Sequence, residues 1–187
     1  MTLHPDSTID FSDLEECDGP GIILEHSGVD INTCLHCRSC SGGCPFTAAM
    51  DYLPNEIIRL LQFGMIEAAM GSATIWTCVA CNTCSAQCPM AIDIPAAMDV
   101  MKQMAVARKI VIAEPDVLDF HREILRSITK YGRTHKLEIM LRFKLKTRRY
   151  FSDFQTGLRM LAKRKLDLTP SRIQDTATLK RLMNGLE

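Results

Sequence analysis

Residues 34–45 read Cys34-Leu35-His36-Cys37-Arg38-Ser39-Cys40-Ser41-Gly42-Gly43-Cys44-Pro45, and residues 78–89 read Cys78-Val79-Ala80-Cys81-Asn82-Thr83-Cys84-Ser85-Ala86-Gln87-Cys88-Pro89. One spacing therefore occurs twice: three cysteines at two-residue gaps, a fourth after three more residues, then proline. A [4Fe-4S] cubane presents four irons that each need one outside ligand, and three cysteines at two-residue gaps let one tight loop reach three of them. Backbone N–H groups of such a loop can also point at the cluster sulfurs, which raises the reduction potential. In two-cluster ferredoxins the cysteine before the proline crosses to the other cluster. By that rule one cluster takes Cys34, Cys37, Cys40 and Cys88, and the other takes Cys78, Cys81, Cys84 and Cys44.

Zinc is the competing metal, because Cys-x2-Cys pairs also build tetrahedral sites. A third cysteine at the same gap, and Cys-Pro in both copies, are not what zinc ribbons need. Covalent haem attachment would require His directly after the second cysteine, where Arg38 stands; His36 reads as a loop or surface residue. If all eight motif cysteines are ligands, no iron is left open for a substrate. The chain shows no dinucleotide fingerprint, no phosphate loop and no nucleophile–base pairing, so no catalytic residue is assigned and the motif points to single-electron relay.

Outward from the motifs, composition agrees. Nine cysteines stand in 187 residues, but eight crowd into the two runs instead of spreading as a disulfide framework would. Cys17 belongs to neither run and reads as a free thiol. The first 18 residues are acidic and lack the apolar core of a secretory signal, so a reducing, cytoplasmic setting is expected. The uncharged stretch 68–92 contains Ser72, Asn82, Gln87 and Pro89, whose burial in hydrocarbon would be costly, so no transmembrane segment is expected.

Charge is divided. Residues 1–100 hold 2 Lys+Arg against 13 Asp+Glu, and residues 101–187 hold 20 against 9. The basic half reads either as a solvated helix face or as a docking surface for an acidic partner. It lacks a nucleic-acid-binding motif, so no nucleic acid is expected.

The organisation follows. An irregular acidic arm is expected over 1–30, a dicluster domain over 31–112, and a basic helical extension and tail over 113–187. Pro54 opens a helix that Gly64 ends, and a short helix follows at 65–70. Pro95 opens another, with Ala97, Met98, Met101, Met104 and Ala105 as its buried stripe. Each helix-opening proline follows a Cys-Pro pair, which makes the domain an internal duplication. Val117, His121, Ile124, Ile128 and Tyr131 align on a helix ended by Gly132; Leu137, Met140, Leu141 and Leu145 mark the next, and Phe154, Leu158 and Leu161 a further one before Pro170. Leu35, Phe46, Ile75, Trp76, Val79, Met90 and Ile92 are candidates for an apolar shell around the ligands. No alternating strand pattern is present, so the fold class is all-α.

The stretches Asn32-Thr33-Cys34 through Cys44-Pro45, Trp76-Thr77-Cys78 through Cys88-Pro89, and Lys130-Tyr131-Gly132-Arg133 resemble the soluble dicluster iron-sulfur subunit of heterodisulfide reductase and related subunits of other anaerobic redox complexes. The resemblance covers most of residues 31–165. It implies an α-helical ferredoxin-like domain carrying two [4Fe-4S] clusters, in a subunit that bridges a flavin- and cluster-bearing subunit to a catalytic, disulfide-reducing one. Relatives in this family also serve sulfur oxidation and quinone-linked assemblies, and a freestanding dicluster ferredoxin is the alternative. Only the cluster cysteines carry over residue by residue.

Overall fold

The computed structural model describes residues 18–147 and, beyond them, residues 159, 160, 162, 163, 173, 178, 179 and 181. Cys17, the helix expected at Phe154, Leu158 and Leu161, and Pro170 lie outside the described residues. Among those described, the regular structure is helical throughout and no strand occurs. The chain divides into two compact units on either side of Glu114 and Pro115.

The irregular arm expected over 1–30 needs correction at its carboxyl end, where Gly19–Ser27 is a helix, α1. The Asp18 carboxylate accepts a hydrogen bond from the Gly21 N–H at 2.8 Å, satisfying one of the donors that a helix start leaves open. Pro20 sits in the first turn, where its missing N–H costs nothing. Gly28, at φ 70°, supplies the left-handed end. Gly-Pro-Gly, which suggests a loop, is here a helix start. Ile22 and Ile23 are buried, and α1 runs so close to its neighbour that a Cβ on Gly19 would collide with the Leu61 carbonyl oxygen.

In the first cysteine run lies the short helix α2 (Ser39–Gly42), followed by α3 (Pro54–Gln62), α4 (Ile66–Met70) and α5 (Ala73–Thr77). Pro54 opens α3, and the Glu56 carboxylate reaches back to accept from the Leu53 N–H at 2.8 Å. Ile57, Ile58 and Leu61 form its buried face. The second run contains α6 (Thr83–Gln87) and leads into α7 (Ile94–Ala107), which starts at the Asp93 cap with Pro95 in its first turn. Ala97, Met98, Met101, Met104 and Ala105 are all buried on α7, which packs against α1, α4, α5 and α6. Burying each of these methionines contributes roughly 1.5–3 kcal/mol, which makes α7 the spine of this unit.

The second unit is built on α8 (Pro115–Tyr131) and α9 (Lys136–Thr147), which pack on each other. Phe120 and Phe143 meet edge to face at 5.5 Å. The turn between the helices is fixed by the His135 N–H donating to the Ser127 hydroxyl at 2.8 Å and by Lys130 and Arg142 converging on the Glu138 carboxylate at 3.0 and 2.9 Å. Of the apolar positions expected to mark these helices, Tyr131 is buried, whereas Met140, Leu141 and Leu145 are exposed and Ile139 is the buried side chain of α9. No helix among the described residues is long and apolar enough to cross a membrane.

Candidate iron-sulfur centres

The duplication seen in the cysteine spacing extends to the backbone. His36 and Arg38 adopt left-handed φ values of 52° and 63°, and the equivalent Ala80 and Asn82 adopt 52° and 60°. Non-glycine residues rarely take this conformation, and each such residue costs of order 1–3 kcal/mol. Four of them at matched positions mean that the loop shape is imposed. Alternating left-handed residues curl successive N–H groups into a concave nest, the backbone form suited to an anionic cluster. In the first loop the His36 N–H already points at Cys34 Sγ, at 3.4 Å.

The side chains repeat as well. Cys37 Sγ lies 3.3 Å from the Ser39 hydroxyl, and Cys81 Sγ lies 3.4 Å from the Thr83 hydroxyl. Both thiols are exposed, and these hydrogen bonds hold both below the usual thiol range. Cys40 and Cys84 are buried, and desolvation pushes them the other way, Cys84 to about 11. Cys78 is likewise raised by burial, against a backbone hydrogen bond from Ala80 and the positive charge of Lys102. Each loop thus offers one accessible thiol held below the usual range and one buried thiol pushed above it.

Helices α2 and α6 pack together, and this contact interleaves the two runs. A Cβ on Gly43 would collide with Gln87 Oε1, so the glycine before Cys44 lets the second run approach. Two cavities result. Cys34, Cys37, Cys40 and Cys88 border one, together with Leu35, Met90 and Ile92. Cys44, Cys78, Cys81 and Cys84 border the other, together with Phe46, Val79 and Met98. All eight cysteines expected as ligands are therefore brought together, four to each cavity. The proposed apolar shell divides: Ile75, Trp76 and Ile92 are buried, while Leu35, Phe46, Val79 and Met90 are exposed at the rims.

This donor set fits a cubane. Among the described residues no three Cys, His, Asp or Glu side chains gather closely enough to hold a single metal ion. Four thiols spread around a larger space suit four irons that each take one outside ligand.

Three residues around the centres carry no local sequence signal. Asp51 joins the two halves: its carboxylate accepts from the N–H groups of Ala73 and Thr74 at 2.8 and 2.9 Å, at the start of the helix that delivers Cys78. Burial works against its charge, but these bonds and that of the Thr74 hydroxyl outweigh it and hold the carboxyl below its ordinary range. Gln62 accepts from His36 at 2.7 Å and donates to the Ile31 carbonyl at 2.8 Å, so His36 is a pinned loop residue. Lys102 donates to the Cys78 carbonyl at 3.2 Å and to Asp99 at 3.0 Å, placing a cation beside the second cavity. The hydroxyls two residues after Cys37 and Cys81 did leave a readable signal, since they too are duplicated.

The fold, the eight thiols and a match to the 4Fe-4S dicluster domain family over residues 33–93 define the class: this is an iron-sulfur protein carrying two [4Fe-4S] clusters. Among curated proteins it is similar to an iron-sulfur subunit of the CoB–CoM heterodisulfide reductase of Methanopyrus kandleri, 28% identical over 130 residues. The matched region is 70% of this chain and 62% of that relative, so the chain spans less than two thirds of the relative's length.

Proposed function

We propose that the chain is the fixed electron relay of a heterodisulfide-reductase-like complex. In this reading Cys34, Cys37, Cys40 and Cys88 hold one cluster, and Cys78, Cys81, Cys84 and Cys44 hold the other. Bound there, the clusters supply one-electron carriers. The chain's own contribution is to saturate their irons with thiolates, orient them on two interleaved loops and wall them with apolar side chains. The observation that carries the reading is the distribution of the thiols: four border each cavity, and every motif cysteine is used. No motif thiol is left to serve as a nucleophile. Similarity to the Methanopyrus kandleri subunit supports the reading, in which the relay stands between a flavin- and cluster-bearing subunit and a catalytic subunit that reduces a disulfide.

The test is affinity purification of the tagged chain from its native cells under anoxic conditions, with metal, sulfide and subunit analysis. About eight irons and eight sulfides per chain, with stable flavin-containing and further iron-sulfur partners, are expected. A chain that emerged alone with both clusters intact would be a freestanding ferredoxin, and zinc without sulfide would exclude relay altogether.

A further inference from the structure

Residues 1–100 contain only two positively charged side chains against 13 Asp and Glu, and these two, Arg38 and Arg59, line the same shallow groove. They come from different elements: Arg38 from the first cysteine loop and Arg59 from α3. The groove is shared by His36, Tyr52 and Phe63. It adjoins the first cavity, since His36 and Arg38 border both.

The groove is organised before anything enters it. Gln62 Oε1 takes a hydrogen bond from His36 at 2.7 Å and one from Arg59 at 3.4 Å. The Arg59 guanidinium also rests over the Phe63 ring, 5.3 Å from its centre, while that ring is 67% exposed. Two carboxylates line the groove, but each already accepts from backbone: Asp51 from Ala73 and Thr74, Glu56 from Leu53. Neither arginine forms an ion pair among the described residues, and the Arg38 guanidinium has no hydrogen-bond partner there. The second cavity differs: none of the residues bordering it carries a charge apart from its thiols.

Arginine and exposed aromatic rings are the side chains that carry protein–protein contacts. Two guanidinium groups that form no ion pair among the described residues, one of them already oriented by Gln62 and Phe63, give the groove beside this redox centre its means of recognising carboxylates. We infer that the groove formed by His36, Arg38, Tyr52, Arg59 and Phe63 is the docking site for a partner redox protein that presents a cluster of Asp and Glu side chains beside its own electron-transfer centre. Electrons then cross through the mouth of the Cys34, Cys37, Cys40 and Cys88 cavity, while the second mouth, with Lys102 beside it and no arginine on its border, faces the other partner. The inference rests on the relay reading. It adds which end addresses which chemistry.

The test uses the complex isolated from native cells through a tag on this chain. Arg59→Glu, on α3 and outside both cysteine loops, should retain full iron and sulfide, lose one redox-active polypeptide from the complex, and slow single-electron exchange with it at least tenfold at low salt. Arg38→Lys and Arg59→Lys keep the charge and add an amine, so a zero-length carbodiimide should join positions 38 and 59 to Asp or Glu of that same polypeptide, located by mass spectrometry. Unchanged partner yield and exchange rate in the charge-reversed complex overturn the docking site, as do crosslinks running only to carboxylates of this chain. A wild-type chain that lacks clusters or purifies without partners fails the relay reading itself, a result separable from those outcomes because it precedes any substitution.

Discussion

The Thr74 hydroxyl lies 2.7 Å from the Asp51 carboxylate, joining the segment after the first cysteine run to the helix that leads into the second. Thr74 is fully buried, and its hydroxyl also meets the Tyr52 carbonyl at 2.5 Å and N–H at 3.0 Å. Asp51→Ala removes the acceptor for two backbone donors of α5, so it should destabilise the domain by about 1–2 kcal/mol. The expected readout is faster bleaching of the clusters' visible absorbance in urea, by about five- to thirtyfold. Asp51→Asn keeps an acceptor oxygen and should lose far less; equal losses in the two variants would show that charge, not capping, is what matters there.

Cys88 sits on the far side of the sequence from the thiols whose cavity it shares. Cys88→Ser and Cys34→Ser should therefore disturb one and the same electron paramagnetic resonance signal of the reduced protein, and Cys78→Ser the other. If the Cys88→Ser spectrum instead matched that of Cys78→Ser, each run would ligate its own cluster.

The thiols also differ in reactivity before metal arrives. Iodoacetamide at pH 8 should alkylate Cys37 and Cys81 of the cluster-free chain first, because hydroxyl hydrogen bonds stabilise their thiolates and both are exposed. Cys84, raised to about 11 and buried, should react last. Peptide mass spectrometry over time resolves the order. Uniform rates would mean that the clusters, and not the chain, shape the loops.

Glu138 gives a pH dependence. Hydrogen bonds from Tyr131, Lys130 and Arg142 overcome desolvation and hold its carboxyl at about 2, below the ordinary value of 4.5. A depressed carboxylate pKa stabilises the folded state above the unfolded pKa, and that contribution is lost as pH falls through the folded one. The stability advantage of wild type over Glu138→Gln should be complete above pH 4.5 and close as pH drops toward 2. Thermal melts of α-helical circular dichroism measure it, and cluster loss in acid cancels because both proteins share it. A constant difference across that window would rule out the Glu138 linkage.

How much of this was legible beforehand depends on the physics of each feature. The cysteine runs were, because metal ligation fixes residue type and spacing together. So were α3 and α7, since Pro54 and Pro95 mark their starts and apolar residues recur at helical period behind them. Helix α1 was not: Gly19-Pro20-Gly21 reads as a breaker until Asp18 is seen capping it and Leu61 is seen pressing on Gly19. On α9, Ile139 is buried while its apolar neighbours stay exposed, because burial there depends on where α8 lies. The groove residues His36, Arg38 and Arg59 meet only through tertiary packing, and no local pattern signals such a meeting. Asp51 acts across 23 residues to Thr74, which is likewise beyond any window of sequence.

The interleaving of the two runs bears on how the protein is made. On the ligand sets proposed above, a growing chain that has emerged only as far as Pro45 holds three thiols for one site and a single thiol for the other. Neither site is complete until the second run has been synthesised, and the first must wait for Cys88. Cluster delivery therefore follows the second run, where Cys84 completes one site and Cys88 the other in close succession. A truncation between the runs would yield no half-functional carrier, only a fragment with exposed thiols.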